Sequence, residues 1–256
     1  MKKQILTLSA AAFMAALTCQ TAFALDHDVV ILHTNDTHCG IEENMGYAGL
    51  VWYENQMKEE TPYVTLVDAG DAIQGAPVGT LSEGEYLVQI MNKAGYDFAV
   101  PGNHEFDYGM EKLLGLSARL DCGYSACNFV NLPSKTQVFA PYRIMEYDDI
   151  QVAFVGVATP ESITKSTPAF QDQFGRYRFG FCEDETGEAL YSQVQSAVDQ
   201  ARGEGADYVI MVGHLGDNGI TEKWSSRSVI ANTTGIDAAI DGHSHEVCVE
   251  NVPNEN

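Results

Sequence analysis

Gly102-Asn103-His104-Glu105-Phe106-Asp107-Tyr108-Gly109 opens directly after the short apolar run Phe98-Ala99-Val100, and that junction sets the reading of the chain. A few consecutive apolar, β-branched or aromatic residues read as a buried strand, and a Gly-rich polar turn after them presents side chains at a sheet edge. The same grammar occurs four more times. Val29-Val30-Ile31-Leu32 leads towards Asn35-Asp36-Thr37-His38, and Val64-Thr65-Leu66-Val67 into Asp68-Ala69-Gly70-Asp71. Val209-Ile210-Met211-Val212 runs into Gly213-His214, and the run 236–240 into Asp241-Gly242-His243-Ser244-His245. Helical periodicity fills the intervals at 48–60, 85–94, 110–120 and 188–202, the last followed by the stop signals Gly203 and Gly205. Strands alternating with helices imply an α/β fold with much parallel pairing and helices outside. Residues 142–147 and 151–157 read as an antiparallel hairpin across Asp148-Asp149-Ile150, and 160–187 as a long active-site loop or lid.

The chain begins with Lys2 and Lys3, an apolar run over 5–17 and the small-x-small site Ala22-Phe23-Ala24, which reads as a secretory signal peptide over 1–24. Residues 25–256 show no repeat or linker and read as one domain, exported to a periplasmic or extracellular space. No later run stays apolar over the ~20 residues a bilayer span requires, so stable membrane insertion is not expected. With 36 acidic against 14 basic residues and a net charge of −22, the surface also repels nucleic-acid backbones. A phosphorylated substrate would therefore need positive charge supplied inside its site. Cys39, Cys122, Cys127, Cys182 and Cys248 lack zinc-knuckle spacing, and export permits a disulfide, with Cys122 and Cys127 the nearest pair.

Ligand-type residues gather at the carboxyl ends of the expected strands, the edge where open α/β sheets place their sites. They are Asp36, His38, Asp71, Asn103, His104, His214, His243 and His245. On extended backbone, residues one apart point the same way, so Asp36 with His38, and His243 with His245, should each share a face. His33 lies inside a strand and reads as structural. A mixed imidazole and carboxylate set suits zinc, manganese, iron or cobalt, whereas thiolates would favour structural zinc and all-oxygen ligands magnesium or calcium.

Asp36-Thr37-His38, Gly70-Asp71, Gly102-Asn103-His104-Glu105, Gly213-His214 and Gly242-His243-Ser244-His245 resemble, in order, the five blocks of the calcineurin-like metallophosphoesterases. The flanks of the first and third blocks resemble the secreted 5′-nucleotidase and UDP-sugar hydrolase family. That resemblance implies a four-layer αββα metallophosphoesterase sandwich, here lacking its final strands, and a catalytic domain over 25–256. It also implies two divalent ions. Asp36, His38, Asp71 and His245 would hold one, and Asp71, Asn103, His214 and His243 the other, with Asp71 bridging. His245 stands where some family members carry Gln. His104 would stabilise the phosphoryl group or protonate the leaving oxygen, and Asp107 would orient its imidazole. A helix-capping role is the alternative for Asp107.

The implied activity is hydrolysis of a small-molecule phosphate ester, most simply a nucleotide, by metal-activated water. The competing reading is a metal-binding surface or interaction protein, or an inactive fragment, that keeps the fold without turnover. Its motive is the short stretch after His245, where the resembled enzymes continue with further strands and a nucleobase-stacking C-terminal domain. Phe170, Phe174, Tyr177, Phe179 and Phe181 could cover a substrate, but such a stripe reads first as local core.

Overall fold

The structure, a computed structural model, describes residues 28–166 and 170–249. The expected leader at 1–24 lies outside the described residues. In chain order the elements are β1 (Val30–Thr34), α1 (Gly46–Glu60), β2 (Val64–Asp68), α2 (Pro77–Ser82), α3 (Glu85–Ala94), β3 (Phe98–Ala99) and α4 (Met110–Ser117). There follow β4 (Val130–Asn131), β5 (Thr136–Gln137), β6 (Tyr142–Tyr147), β7 (Ile150–Ala158), α5 (Ser162–Lys165) and β8 (Phe179–Gly180). The last are α6 (Glu188–Gly203), β9 (Tyr208–His214), α7 (Ser226–Ala231) and β10 (Ala238–Ile240).

Two sheets carry the architecture. One is parallel, in the order β1-β2-β3; the other runs β10-β9-β7-β6, parallel except for the β6–β7 hairpin. The period-two alternation of side chains divides their residues between three cores. On β2, Leu66 packs with α3 and α4 residues such as Leu87, Met91, Leu113 and Leu116, while its neighbour Val67 joins Phe98, Val152, Phe154, Ile210 and Val212. On β7, Ala153, Val155 and Val157 face Leu190, Val194 and Val198 of α6. Val67, Phe98, Phe154 and Val212 thus fill the space between the sheets, with the Phe98 and Phe154 ring centroids 5.8 Å apart. The result is helix, sheet, sheet, helix: the expected αββα sandwich. Burying each such Leu, Val or Phe stabilises the fold by about 1.5–3 kcal/mol.

Parallel register brings the strand ends to one edge. Thr34 pairs with Asp68, Asp68 with Ala99, and Ala158 with His214, so the loops that follow β1, β2, β3, β7 and β9 emerge side by side. The turn after α3 is made by Gly95 (φ 83), whose N–H closes on Met91 and Asn92 carbonyls.

Within 160–187 the described residues carry α5 and β8, and β8 pairs with β4 in a small antiparallel sheet. Phe170 and Phe181 are buried, each about 5 Å from the Phe106 ring, while Phe174 and Tyr177 remain exposed. Cys122 and Cys127 are both free and buried, as is Cys39; Cys182 and Cys248 are also free.

Candidate metal centre

The loop after β1 carries Asp36 and His38, and the loop after β2 carries Asp71. All three have left-handed backbone, with φ of 49°, 43° and 59°. His243 (φ 80°) and His245 (φ 54°) follow β10 in the same region of conformational space. Such values are uncommon outside glycine and cost roughly 1–2 kcal/mol each. The extended-strand argument for pairing these residues therefore fails, because none of them lies on extended backbone. Asp36 and His38 nonetheless converge, with His245, into one cluster. His243 parts from His245 and joins Asp71 and His214 in a second.

Hydrogen bonds from the far side of each ring set the nitrogen that faces inward. His214 Nδ1 lies 2.7 Å from the Ala69 carbonyl and His38 Nδ1 lies 3.1 Å from the Gln74 carbonyl. A carbonyl only accepts, so both Nδ1 atoms carry a proton, and Nε2 is the atom of each ring left to meet either a cation or a second proton. Buried His214 Nε2 has no hydrogen-bond partner, although Asp71 Oδ2 is 3.1 Å away. Nitrogen and oxygen are close but not aligned as donor and acceptor. His38 Nε2 and His245 Nε2 stand 3.3 Å apart, and Asp36 Oδ1 is 3.4 Å from the latter. Asn103, the residue before His104 whose N–H meets Asp71, is buried, and its Oδ1 also lacks a partner.

Asp71 joins the clusters. Its Oδ2 lies 3.1 Å from His214 Nε2 and 3.9 Å from His38 Nε2, while Oδ1 accepts the His104 N–H at 2.8 Å. Burial opposes its ionisation, but the electrostatic pull of the neighbouring His214 imidazole and the bond from the His104 N–H hold the carboxyl well below its usual range. Burial likewise disfavours a charged His214, yet the carboxylates of Asp71 and Asp36 raise its proton affinity. A proton on Nε2 and a divalent cation answer the same negative field. Unpartnered buried acceptors, two facing Nε2 atoms and a mixed N/O donor set fit cation binding better than any closed hydrogen-bond network.

His104 and Asp107 form a separate pair, Nδ1 donating to Oδ2 at 2.7 Å. The N-cap position of α4 is Gly109, two residues after Asp107. The His104 ring is one-third exposed and stands edge-on to His38, centroids 5.3 Å apart.

Sequence reasoning assigned nothing to Glu105, which the fold makes central. It is fully buried, and its two oxygens accept N–H bonds from Asp71 (2.7 Å), Ala72 (2.8 Å), Ile73 (3.2 Å) and Gly102 (2.6 Å). One side chain therefore staples the loops after β2 and β3 together. Asp241 does the same for the loop after β9, accepting from Leu215 and Gly216 N–H at 2.8 and 2.9 Å. The only sequence signal for either was a carboxylate inside a ligand motif with no ligand role.

The sequence profile of the calcineurin-like phosphoesterases matches residues 29–247. The chain is 30% identical over 237 residues to the 5′-nucleotidase of Bos taurus, covering 85% of this chain and 38% of that protein. It is 26% identical to the 2′,3′-cyclic-nucleotide 2′-phosphodiesterase/3′-nucleotidase of Yersinia enterocolitica, covering 96% of this chain and 41% of that one. It thus spans about two fifths of these relatives' length. The structure superposes on the calcineurin-like phosphoesterase YfkN from Bacillus subtilis with a TM-score of 0.70 at 25% identity, over 85% of this chain and 72% of that one. Ligand-type side chains on the strand-end loops, a shared carboxylate and a matched family profile lead to one conclusion: this chain belongs to the calcineurin-like phosphoesterase family.

Proposed function

We propose that residues 25–256 form one exported catalytic domain that hydrolyses nucleotides or related phosphate esters at a two-ion centre. In it, Asp36, His38, Asp71 and His245 hold one divalent ion and Asp71, Asn103, His214 and His243 the other. The observation that carries this reading is the position of Asp71, whose Oδ2 lies between the histidines of both clusters. Two such ions, when bound, supply the positive charge this acidic chain lacks and lower the pKa of a water to be used as nucleophile.

The chain's own residues do the rest. Asp71 Oδ1, fixed by the His104 N–H, leaves Oδ2 to be shared. His104 gives its Nδ1–H to Asp107, so Nε2 is the ring atom that can carry a proton to the departing ester oxygen. Water oxygen bonds to phosphorus and loses a proton to solvent, the ester P–O bond breaks, and the leaving alkoxide takes the proton from His104, whose Nε2 is then reprotonated from solvent. The relatives named for 5′-, 3′- and cyclic-nucleotide substrates support a nucleotide ester as the class. Export is supported by the residues of the leader, and no described helix is long and apolar enough to cross a membrane.

Hydrolysis of an aryl phosphate with added manganese or zinc tests the reading, followed by AMP, UDP-glucose and 2′,3′-cyclic nucleotides. The expected result is phosphate release abolished by chelator. Folded, metal-supplied protein that releases none of these would favour a fold kept for binding alone.

A further inference from the structure

Glu161 begins the turn into α5, outside every ligand motif, yet its carboxylate is buried against a ligand-type histidine. Oε2 lies 2.9 Å from His243 Nε2 and 2.6 Å from Lys165 Nζ. Oε1 accepts both the N–H and the hydroxyl of Thr221, at 2.8 and 2.7 Å. With both oxygens engaged, the carboxylate has one orientation. The His243 and Glu161 side chains are each more than nine-tenths buried, so water does not compete for the contact.

His243 Nε2 has a second polar neighbour, Lys165 Nζ at 3.5 Å, and the two neighbours demand opposite tautomers. The carboxylate needs a proton on Nε2, whereas an ammonium, which only donates, needs Nε2 bare. The distances decide. A contact of 2.9 Å is a full charge-assisted hydrogen bond, while 3.5 Å is at the limit of any bond, and Lys165 already donates to Glu161. His243 therefore carries its proton on Nε2 and has Nδ1 left for the cluster with Asp71 and His214. That is the reverse of His38 and His214, whose Nδ1 atoms face carbonyls.

We propose that Glu161 is the positioning residue that fixes His243 as an Nδ1 ligand of the second ion, with Thr221 bracing the carboxylate. The inference rests on the two-ion reading. A carboxylate behind a ligating histidine sets its tautomer and raises its basicity, and losing it costs about 10–100-fold in metal affinity. In Glu161→Gln, one half of the side chain becomes a donor. Facing His243, it forces the proton onto Nδ1; facing Thr221, it breaks the brace.

The test is manganese titration of the full chain by calorimetry and electron paramagnetic resonance, with the melting temperature of chelated protein alongside. Wild type should bind two ions with an exchange-coupled spectrum. Glu161→Gln should weaken one ion about 10–100-fold, spare the other, show the spectrum of isolated manganese, and melt near wild type when metal-free. Thr221→Val should weaken the same ion to a smaller degree, and it decides the matter if Glu161→Gln does not fold. Wild type binding fewer than two ions overturns the two-ion reading and this inference with it. Wild type binding two, with both variants unchanged in affinity and spectrum, overturns the role of Glu161 alone.

Discussion

At the scale of single residues, the centre is held by side chains that give up ordinary backbone or ordinary solvation. Asp36, His38, Asp71, His243 and His245 all occupy left-handed backbone, and His214 and Asn103 hold buried acceptors without partners. His104 is different: its ring is partly exposed and anchored by Asp107. Replacing His104 with Asn should lower turnover about 10²–10⁴-fold while leaving metal content unchanged, which steady-state kinetics and elemental analysis would check together. Glu105→Gln places an amide N–H against two of the four backbone donors. It should destabilise the protein by about 1.5–3 kcal/mol in denaturant titration, because hydrogen bonds to a charged acceptor are lost. Asp68, beneath the site, supplies a pH signature. Burial pushes its carboxyl up to about 8, against the opposing bonds from Thr34 and Gly70. The folded value exceeds the unfolded one, so this group favours the metal-free fold at low pH. That contribution fades as pH rises from about 4 to about 8. Melting temperatures of chelated protein should fall across that window, and Asp68→Asn should flatten the slope.

At the scale of elements, in-register parallel strands end together and their loops become one surface. Gly102 shows how close those loops are: a Cβ there would stand 2.2 Å from Asp71 Oδ1. Gly102→Ala should displace the shared carboxylate and weaken metal binding about tenfold or more, read by calorimetry against wild type. The loop after β3 is also anchored from below, because Phe106 packs its ring against Phe129, Phe170 and Phe181. Phe106→Ala should cost about 3–5 kcal/mol and expose the 170–181 segment to limited proteolysis. The strands and ligand loops were legible in the sequence because apolar runs ending in Gly, Asp, Asn and His are local patterns. Glu105, Asp241 and Glu161 were not, because their partners lie up to 82 positions away and only the register of distant strands brings them together. The separation of His243 from His245, implied by the family resemblance, was out of reach of the spacing rule alone. Left-handed turns replace the extended backbone that a spacing rule assumes.

At the scale of the whole molecule, two sheets share one apolar interior and are each covered by helices, so the sandwich can hold a polar edge rigidly. The net charge of −22 gives that edge its demand for cations, since carboxylates and imidazoles converge there in a strongly acidic chain. Cations bound only by the folded state add stability, about 2.7 kcal/mol at a concentration one hundred times the dissociation constant. In the proposed site, Asp71 makes one centre of two clusters. Elemental analysis of metal bound after gel filtration, for wild type and Asp71→Asn, tests it most directly. Two ions per wild-type chain and fewer than two in a folded Asp71→Asn are expected; a wild type that retains none or one, or an Asp71→Asn that keeps both, would overturn the shared role of Asp71.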